Sequence, residues 1–426
     1  MIDTLIDILK TKETDGWRIS DEKIYGWEFY FIRHALDQNR VKKVEHIHLT
    51  VFRKSEDGQF LGSASAAISP TETKENAEKL VEDLIYRAGL VKNRIYSLHE
   101  KKDLEALNLP VSTPEEMSES LIHTMNSIQE TDSELLNSYE IFSSVKTVRL
   151  VTSTGIDYET TAPVSMVEVV SNARKDDHEI ELYRMYNAGS FDTDSLKKDC
   201  EEVLRYGKDR LSAVPTPVSG KYDVVFSTDV STSIYDYFLT NLSARAVVMK
   251  ISPFEIGKVI DDNIEGDKVT LKAVRELPHS SKNAAFDAQG GVIRDVVLME
   301  DSVPRCFHGD EMFGSYLGLE DSFLVSNVIA DGGSKTADEL RTGNFLEVVE
   351  FSDFQVDGTT GDIFGEIRLG YLHDESGVRP VTGGSVSGSM KDFVKKMYFS
   401  KEQKQYDNKL IPAVTRLSDV TVTGAE

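Results

Sequence analysis

The amino-acid sequence predicts an α+β fold in two domains: an N-terminal α/β sandwich-like domain over residues 1–213 and a C-terminal strand-rich, barrel-like domain over 221–426, joined by a linker at 214–220. Three observations carry this. The 426 residues exceed the ~100–200 typical of one domain. The first half alternates segments of apolar period two with segments of helical period, whereas the second half is mostly short strands broken by glycine. Val214-Pro215-Thr216-Pro217-Val218-Ser219-Gly220 concentrates turn-forming residues between the halves.

An amphipathic helix opens the chain at Met1-Ile2-Asp3-Thr4-Leu5, and Ile24 to Ser69 is rich in β-branched and aromatic residues. In His46-Ile47-His48-Leu49-Thr50-Val51 the alternation predicts a half-buried strand. His46 and His48 share a face, as two metal ligands would, but the pattern sets that face to solvent, opposite Ile47, Leu49 and Val51. Ala77, Leu80, Val81, Leu84, Ile85 and Ala88 then fall at helical spacing, with Gly89 predicted as the C-terminal cap. A second helix is predicted from Glu115 to about Gln129, with Pro114 in its first turn and Thr113 as its cap. Between them, His99-Glu100-Lys101-Lys102-Asp103 begins like a His-Glu zinc helix but has Asp where a second histidine is needed, and reads as a charged loop. Tyr139 to Tyr186 is strand-like, with turns at Ser153-Thr154-Gly155 and Arg174-Lys175-Asp176-Asp177. Leu196, Cys200, Val203, Leu204 and Leu211 mark a third amphipathic helix, with Cys200 on its apolar face as a core residue. The second half opens with a strand at Tyr222 to Phe226 and a helix placing Val230, Ile234, Tyr237, Phe238 and Asn241 on one face. Its glycine pairs at Gly290-Gly291, Gly332-Gly333 and Gly383-Gly384 suit tight turns, because none stands in the strand–loop–helix setting that cradles a phosphate.

With 48 Lys and Arg against 72 Asp and Glu, the formal net charge is −24. Such a chain repels phosphate backbones and anionic lipid unless it has a local basic face. The nearest candidates, Arg40 to Lys43 and Lys395 to Lys404, are short or interrupted, so direct nucleic-acid binding is not expected. Two cysteines, Cys200 and Cys306, exclude a disulfide framework and a four-cysteine zinc site. No apolar run approaches the ~18–20 residues of a membrane span, and the opening segment lacks the basic-then-apolar order of a signal peptide. The expectation is a cytoplasmic protein without a membrane segment.

Several stretches, in matching order, resemble the TldD/PmbA family, whose members carry the label of DNA gyrase modulators. Asp287-Ala288-Gln289-Gly290 followed by Val297-Leu298-Met299-Glu300 looks like the family's "D-x-E-G … V-L-I-E-N-G" pair, with Gln289 in place of the glutamate. Ser326 to Ser334, leading to Asp338-Glu339-Leu340, resembles its "N-x-x-x-x-x-G-x-x-x-x-x-E-L" stretch. Thr360-Gly361-Asp362-Ile363-Phe364-Gly365 with Arg379-Pro380-Val381 looks like "T-G-D-F … P-V", and Val386 to Ser389 and Leu417 to Val422 also fit. In the N-terminal half the likeness is looser, carried by the helix before Gly89 and the strand at Leu150 to Gly155.

The resemblance implies an α+β, two-domain cytoplasmic protein that dimerises around an enclosed chamber and takes part in peptide cleavage. Catalytic members look like zinc metallopeptidases, with a His-Glu-x-x-x-His helix after the first strand of the C-terminal domain and a cysteine ligand near the C-terminus. Two imidazoles on one helix face hold the metal and the glutamate activates water. Here that helix reads Thr228-Asp229-Val230-Ser231-Thr232-Ser233-Ile234-Tyr235-Asp236-Tyr237, no histidine occurs between His178 and His279, and no cysteine lies near Leu417 to Val422. The resemblance is therefore to the non-catalytic PmbA, or TldE, branch. It implies no catalytic residue and no metal in this chain, zinc in a TldD-like partner subunit (or else a homodimer), and a peptide as substrate.

Asp287, Gly290, Asn327 and Gly361 are the candidate chamber-facing, substrate-binding positions, because polar loops in the matched motifs are where ligands are met. Peptide is expected to add as an extended segment to an exposed strand edge around Thr360 to Gly365, with acidic walls favouring basic or unfolded chains. One alternative is an active metallopeptidase with displaced ligands at Cys306 and His308, which fall on one side of an expected strand with His279 as a further member. Another is a regulatory binding protein of a DNA-processing enzyme.

Overall fold

The computed structural model describes residues 1–425. Seven strands, β1 (Gly16–Ile32), β2 (Ala35–Lys54), β3 (Phe60–Ile68), β4 (Asn93–Arg94), β5 (Glu134–Thr152), β6 (Asp157–Lys175) and β7 (His178–Ala188), form the N-terminal sheet. It is antiparallel throughout, in the order β4-β3-β2-β1-β5-β6-β7. Trp17, Ile19 and Phe31 of β1 share one parity and so one face of the sheet. That face is covered by helices α1 (Ile2–Thr11), α2 (Lys74–Leu90), α3 (Pro114–Asn126) and α4 (Thr193–Leu211). His46 and His48 are exposed beside buried Ile47, Leu49 and Val51, as the alternation requires.

The helices start where their caps dictate. Thr113 and Glu116 form a reciprocal capping box behind Pro114, and Asp192 accepts hydrogen bonds from the backbone of Asp194 and Ser195 at the head of α4. The end of α2 differs from expectation. Gly89 does not cap it; the helix continues to Leu90 and stops where its last carbonyls meet β3. A Cβ on Gly62 would lie 2.0 Å from the carbonyl oxygen of Ala88, so strand and helix end meet backbone to backbone there.

The C-terminal half contains β8 (Val214–Pro215), β9 (Gly220–Phe226), a 3-10 turn (Asp229–Ser231), α5 (Thr232–Asn241), α6 (Ala244–Val248), β10 (Leu271–Val274), β11 (Val296–Glu300), β12 (Val303–Pro304) and α7 (Glu311–Leu317). It continues with β13 (Asn327–Ala330), α8 (Ala337–Leu340), β14 (Phe345–Val356), β15 (Asp362–Asp374), β16 (Gly377–Thr382), β17 (Ser385–Ser389) and α9 (Met390–Phe393). The last strands are β18 (Met397–Phe399), β19 (Gln403–Tyr406), β20 (Lys409–Pro412) and β21 (Thr415–Thr423). The order β14-β9-β21-β17-β15 closes on itself through a β14–β15 pairing, giving a mixed barrel in which only β9 and β14 run parallel. A second sheet runs β12-β11-β10-β13-β20-β19. Ile234, Tyr237 and Phe238 of α5 pack into one core with Val224, Leu346 and Val386 of the barrel.

The segment expected as a linker is built into this domain. Val214 and Pro215 pair in parallel with Val381 and Thr382, and Thr216 is buried, its N–H donating to Thr382 O at 2.9 Å. Pro215 and Pro217 fit because β8 ends the sheet, where a missing N–H leaves no ladder bond open.

One contact between the domains lies on the helix-free face of the N-terminal sheet, and a second packs Leu182, Val203 and Tyr206 against Val349 and Leu369. Leu150, Ile156 and Tyr158 pack against Ala285 and Phe286, joined by Leu104 and Leu107 from the loop after β4. Beside them Arg18 of β1 donates to Glu311, the first residue of α7, with side chains only 11% and 3% exposed. Removing one partner of so buried a pair strands the other's charge. Glu311→Gln is therefore expected to lower stability by about 3 kcal/mol in urea titration, with Glu311→Leu/Arg18→Leu costing less than Glu311→Gln alone. A double variant as unstable as the sum of the two single ones would show that the charges are not coupled.

Candidate functional site

A cavity of about 1030 Å³ lies between the domains. Two strands reach it with runs of consecutive residues, Arg184 to Ala188 from β7 and Gln403 to Leu410 from β19, its turn and β20. A sheet face would contribute alternate residues, so these strands present their edges. Both are terminal strands of their sheets: β7 pairs only with β6 and β19 only with β20.

α4 forms a third wall. Leu196, Cys200 and Leu204 point into the sheet, which leaves Ser195, Asp199, Glu202 and Tyr206 along the cavity flank. Thr228, Asp229 and Thr232, where the chain leaves β9 and enters α5, form the fourth. The loop from His279 to Lys282 completes it. There the domains touch backbone to backbone: Gly189 N–H donates to His279 O at 2.6 Å, and a Cβ at Gly189 would lie 2.4 Å from Ser280 O. His279 is held at φ 65°, with Nδ1 2.7 Å from Ser190 O, so Nδ1 carries the proton and donates to that carbonyl.

The wall is electrically mixed, unlike the acidic wall expected from a net charge of −24. Asp192, Asp199, Glu202, Asp229 and Asp407 are matched in number by Arg184, Lys198, Lys282, Lys404 and Lys409. Most are paired. Lys404 meets Asp199 at 2.7 Å, Lys409 meets Asp236 at 2.6 Å, Glu202 accepts from Arg205 at 2.8 Å, and Asp407 accepts from both Ser281 N and Ser281 Oγ at 2.8 Å. Arg184 donates to Glu350 and, at 3.3 Å, to Val349 O. Burial raises the carboxyl of Glu350 above its ordinary range, and Arg184 only partly offsets this. Burial also pushes the Tyr186 and Tyr406 phenols well above their ordinary value, helped by nearby acids that include Asp229.

None of the four candidate substrate residues lines this cavity. Asp287 is 7% exposed, and its carboxylate accepts from the backbone of Gln289, Gly291 and Leu324 at 2.8, 3.0 and 2.7 Å. Gly290, at φ 96°, lies under Ile156, where a Cβ would come within 2.5 Å of the Ile156 side chain. Gly361, at φ 83°, turns the chain from β14 into β15. Asn327 is fully buried, donating to Arg275 O and Asn283 Oδ1 at 3.1 Å each and accepting from Ser280 Oγ at 2.5 Å. Through Ser280 it positions the His279–Lys282 loop, so its role at the cavity is indirect. The turn chemistry of Asp287 and Gly290 was legible in the sequence, because Asp starts turns through its own side chain and glycine supplies positive φ. The stretch Thr360 to Gly365 is no open edge either, because β15 pairs with β14 on one side and β17 on the other.

Cys306 and His308 do not form a strand face or a hydrogen-bonded pair. Cys306 Sγ donates to Phe307 O at 3.3 Å, and burial raises its thiol. His308 Nε2 lies 3.0 Å from Leu239 O, and Nδ1 is buried without a partner. Among the described residues no three His, Cys, Asp or Glu side chains converge as a metal would need. At the start of α5, where the resemblance puts the zinc helix of catalytic members, the cavity meets two hydroxyls and one carboxylate, a donor set that does not fit zinc, which takes three or four ligands drawn from imidazole, thiolate and carboxylate. Arg184, Tyr186, Lys404, Tyr406 and Lys409 escaped the sequence reading. The one signal near them was the interrupted basic stretch ending at Lys404.

Burial lowers the His308 imidazole from its ordinary 6.5. The unfolded state then binds the proton first, so stability contributed by neutral His308 is complete at neutral pH. It is lost as pH falls below about 6.5 and levels off under the folded-state value. Chemical denaturation between pH 7.5 and 5 is expected to show this loss, and a His308→Gln variant a shallower one; identical slopes would assign the loss to other groups.

Residues 219–424 match the family described as PmbA/TldA metallopeptidase C-terminal domain. Comparison with curated proteins finds no match. Among solved structures, TldE from Thermococcus kodakarensis superposes with a TM-score of 0.79 at 15% identity, covering 100% of both chains. A proposed modulator of a DNA gyrase from Thermotoga maritima gives 0.77 at 16% identity, covering 100% of this chain and 99% of that one. A proposed modulator of DNA gyrase from Bacteroides thetaiotaomicron gives 0.78 at 16%, covering 99% and 98%. At these identities the likeness is one of fold.

Proposed function

The chain belongs to the PmbA/TldD family, and from that premise we propose that it is a PmbA/TldE-type, metal-free subunit of a cytoplasmic peptidase assembly, binding extended peptide and leaving hydrolysis to a zinc-bearing TldD-type partner. The observation that carries this reading is the composition of the cavity wall where α5 begins: Thr228, Asp229 and Thr232 stand where catalytic members carry their zinc helix. Hydroxyls and a lone carboxylate bind and orient a polar chain; they do not activate water on a metal. No hydrolytic step is assigned to this chain.

The peptide-binding half of the reading rests on the two strand edges. An extended segment entering between β7 and β19 meets main-chain N–H and C=O groups that the sheets leave unpaired, a sequence-tolerant way to hold an unfolded chain. Along the five residues of β7 that line the cavity, a strand would run for ~17 Å at about 3.3 Å per residue. The charge pairs along the walls keep the slot polar without a strong net field.

Elemental analysis of the purified chain, with and without added zinc, tests the assignment together with peptidase assays on the chain alone and mixed with a TldD-type protein. The expected outcome is less than 0.1 zinc per chain, no hydrolysis alone, and hydrolysis in the mixture. One tightly held zinc per chain, or peptidase activity of the chain by itself, would overturn it.

A further inference from the structure

Asp229 opens the 3-10 turn ahead of α5, is exposed, and faces the cavity. The other wall carboxylates are engaged: Asp192 caps α4, Asp199 holds Lys404, Glu202 holds Arg205 and Asp407 holds Ser281. Among the described residues Asp229 is the one carboxylate of that wall with no side-chain hydrogen bond or ion pair. Arg184 feels the charge of Asp229 but spends its hydrogen bonds there on Glu350 and Val349 O. Lys409 is likewise committed to Asp236, while Lys198 and Lys282 are exposed.

A second feature points to a visiting group. Thr228 Oγ1, adjacent in the same wall, is buried with no hydrogen-bond partner. Unsatisfied polar groups beside a cavity mark the place where something from outside completes the network. The rings of Tyr186 and Tyr406 line the same space. An unpaired carboxylate, hydroxyl acceptors and phenol rings suit an organic cation with several N–H donors.

We infer that Asp229 is a specificity residue that receives a basic group of the bound peptide, a lysine ammonium or an arginine guanidinium, in the cavity between β7, β19 and the start of α5. The inference rests on the reading of this cavity as a peptide site and deepens it. The edges of β7 and β19 bind any extended chain, and Asp229 adds a preference for a positive side chain opposite it. The preference comes from Asp229 because it is the wall carboxylate that no protein donor engages, whereas Asp192, Asp199, Glu202 and Asp407 are all hydrogen-bonded.

The test uses the full chain, alone and with a TldD-type partner, and fluorescein-labelled extended decapeptides that differ only in lysine, norleucine or glutamate at two alternate positions. Fluorescence anisotropy is expected to show the lysine peptide binding roughly tenfold tighter than its norleucine twin, the scale of one charge-assisted hydrogen bond. Asp229→Asn should bring the two within twofold by weakening the lysine peptide, and Asp229→Lys should favour the glutamate peptide. Equal affinity of the wild-type chain for lysine and norleucine peptides overturns the inference and leaves the peptide reading standing. Loss of norleucine binding in Asp229→Asn assigns Asp229 a structural role and also overturns it. If no peptide binds, alone or with partner, the peptide reading fails and the inference with it.

Discussion

The site depends on one close approach, the crossing of Gly189 and the His279–Ser280 backbone. A hydrogen bond of 2.6 Å joins the end of β7 to this loop, and the space for a Cβ at Gly189 is already occupied by Ser280 O. His279 adds its bond to Ser190 O from a left-handed backbone that few non-glycine residues adopt. Because Asn327 holds Ser280 from beneath, the loop is tied to β13 and through it to the sheet that ends in β19. The spacing between the edges of β7 and β19 is thereby set by a short chain of buried contacts.

Edge strands are usually blunted, because an open row of N–H and C=O groups recruits other chains. This molecule closes its C-terminal barrel completely, so that β14, β9, β21, β17 and β15 have no free edge among them, and places two open edges inside a cavity. There an edge is reachable by a single extended strand and screened from broad association. The charge pairs lining the slot serve the same end: polar walls held by their own counter-ions offer little to an apolar intruder.

Much of the architecture follows from local rules. The helix stripes at Ala77, Val81, Leu84 and Ala88, and at Leu196, Cys200, Val203 and Leu204, are buried in the structure, and the cap at Thr113 is a full capping box. The alternation at His46 to Val51 assigns both faces of its strand correctly. Where local reading failed, a tertiary contact had taken over a residue with a sound local role. Gly89 suits a cap, yet α2 is ended by its contact with Gly62; the proline-rich stretch after Leu211 suits a tether, yet β16 pairs with it. Asp287 and Asn327 have the chemistry of ligand-binding residues and spend it on neighbouring segments of the fold, Asp287 on the backbone of Leu324 and Asn327 on Arg275 O and the side chains of Ser280 and Asn283.

By itself the sequence determined the two-part α+β organisation, the buried faces of α2, α4 and α5 and of the strand at His46 to Val51, the family to which the ordered C-terminal motifs point, and the lack of histidine at the start of α5. These are properties of periodicity, capping and residue identity, which act over a few neighbouring positions. Only the tertiary structure decided which strands end their sheets, that β7 and β19 open onto one cavity, and which charges there are paired. Arg184 and Glu350, or Lys404 and Asp199, lie far apart along the chain. The carboxylate of Asp229 is recognisable as unengaged only after the other carboxylates of the wall have found their donors, and that pairing is a consequence of packing two domains together.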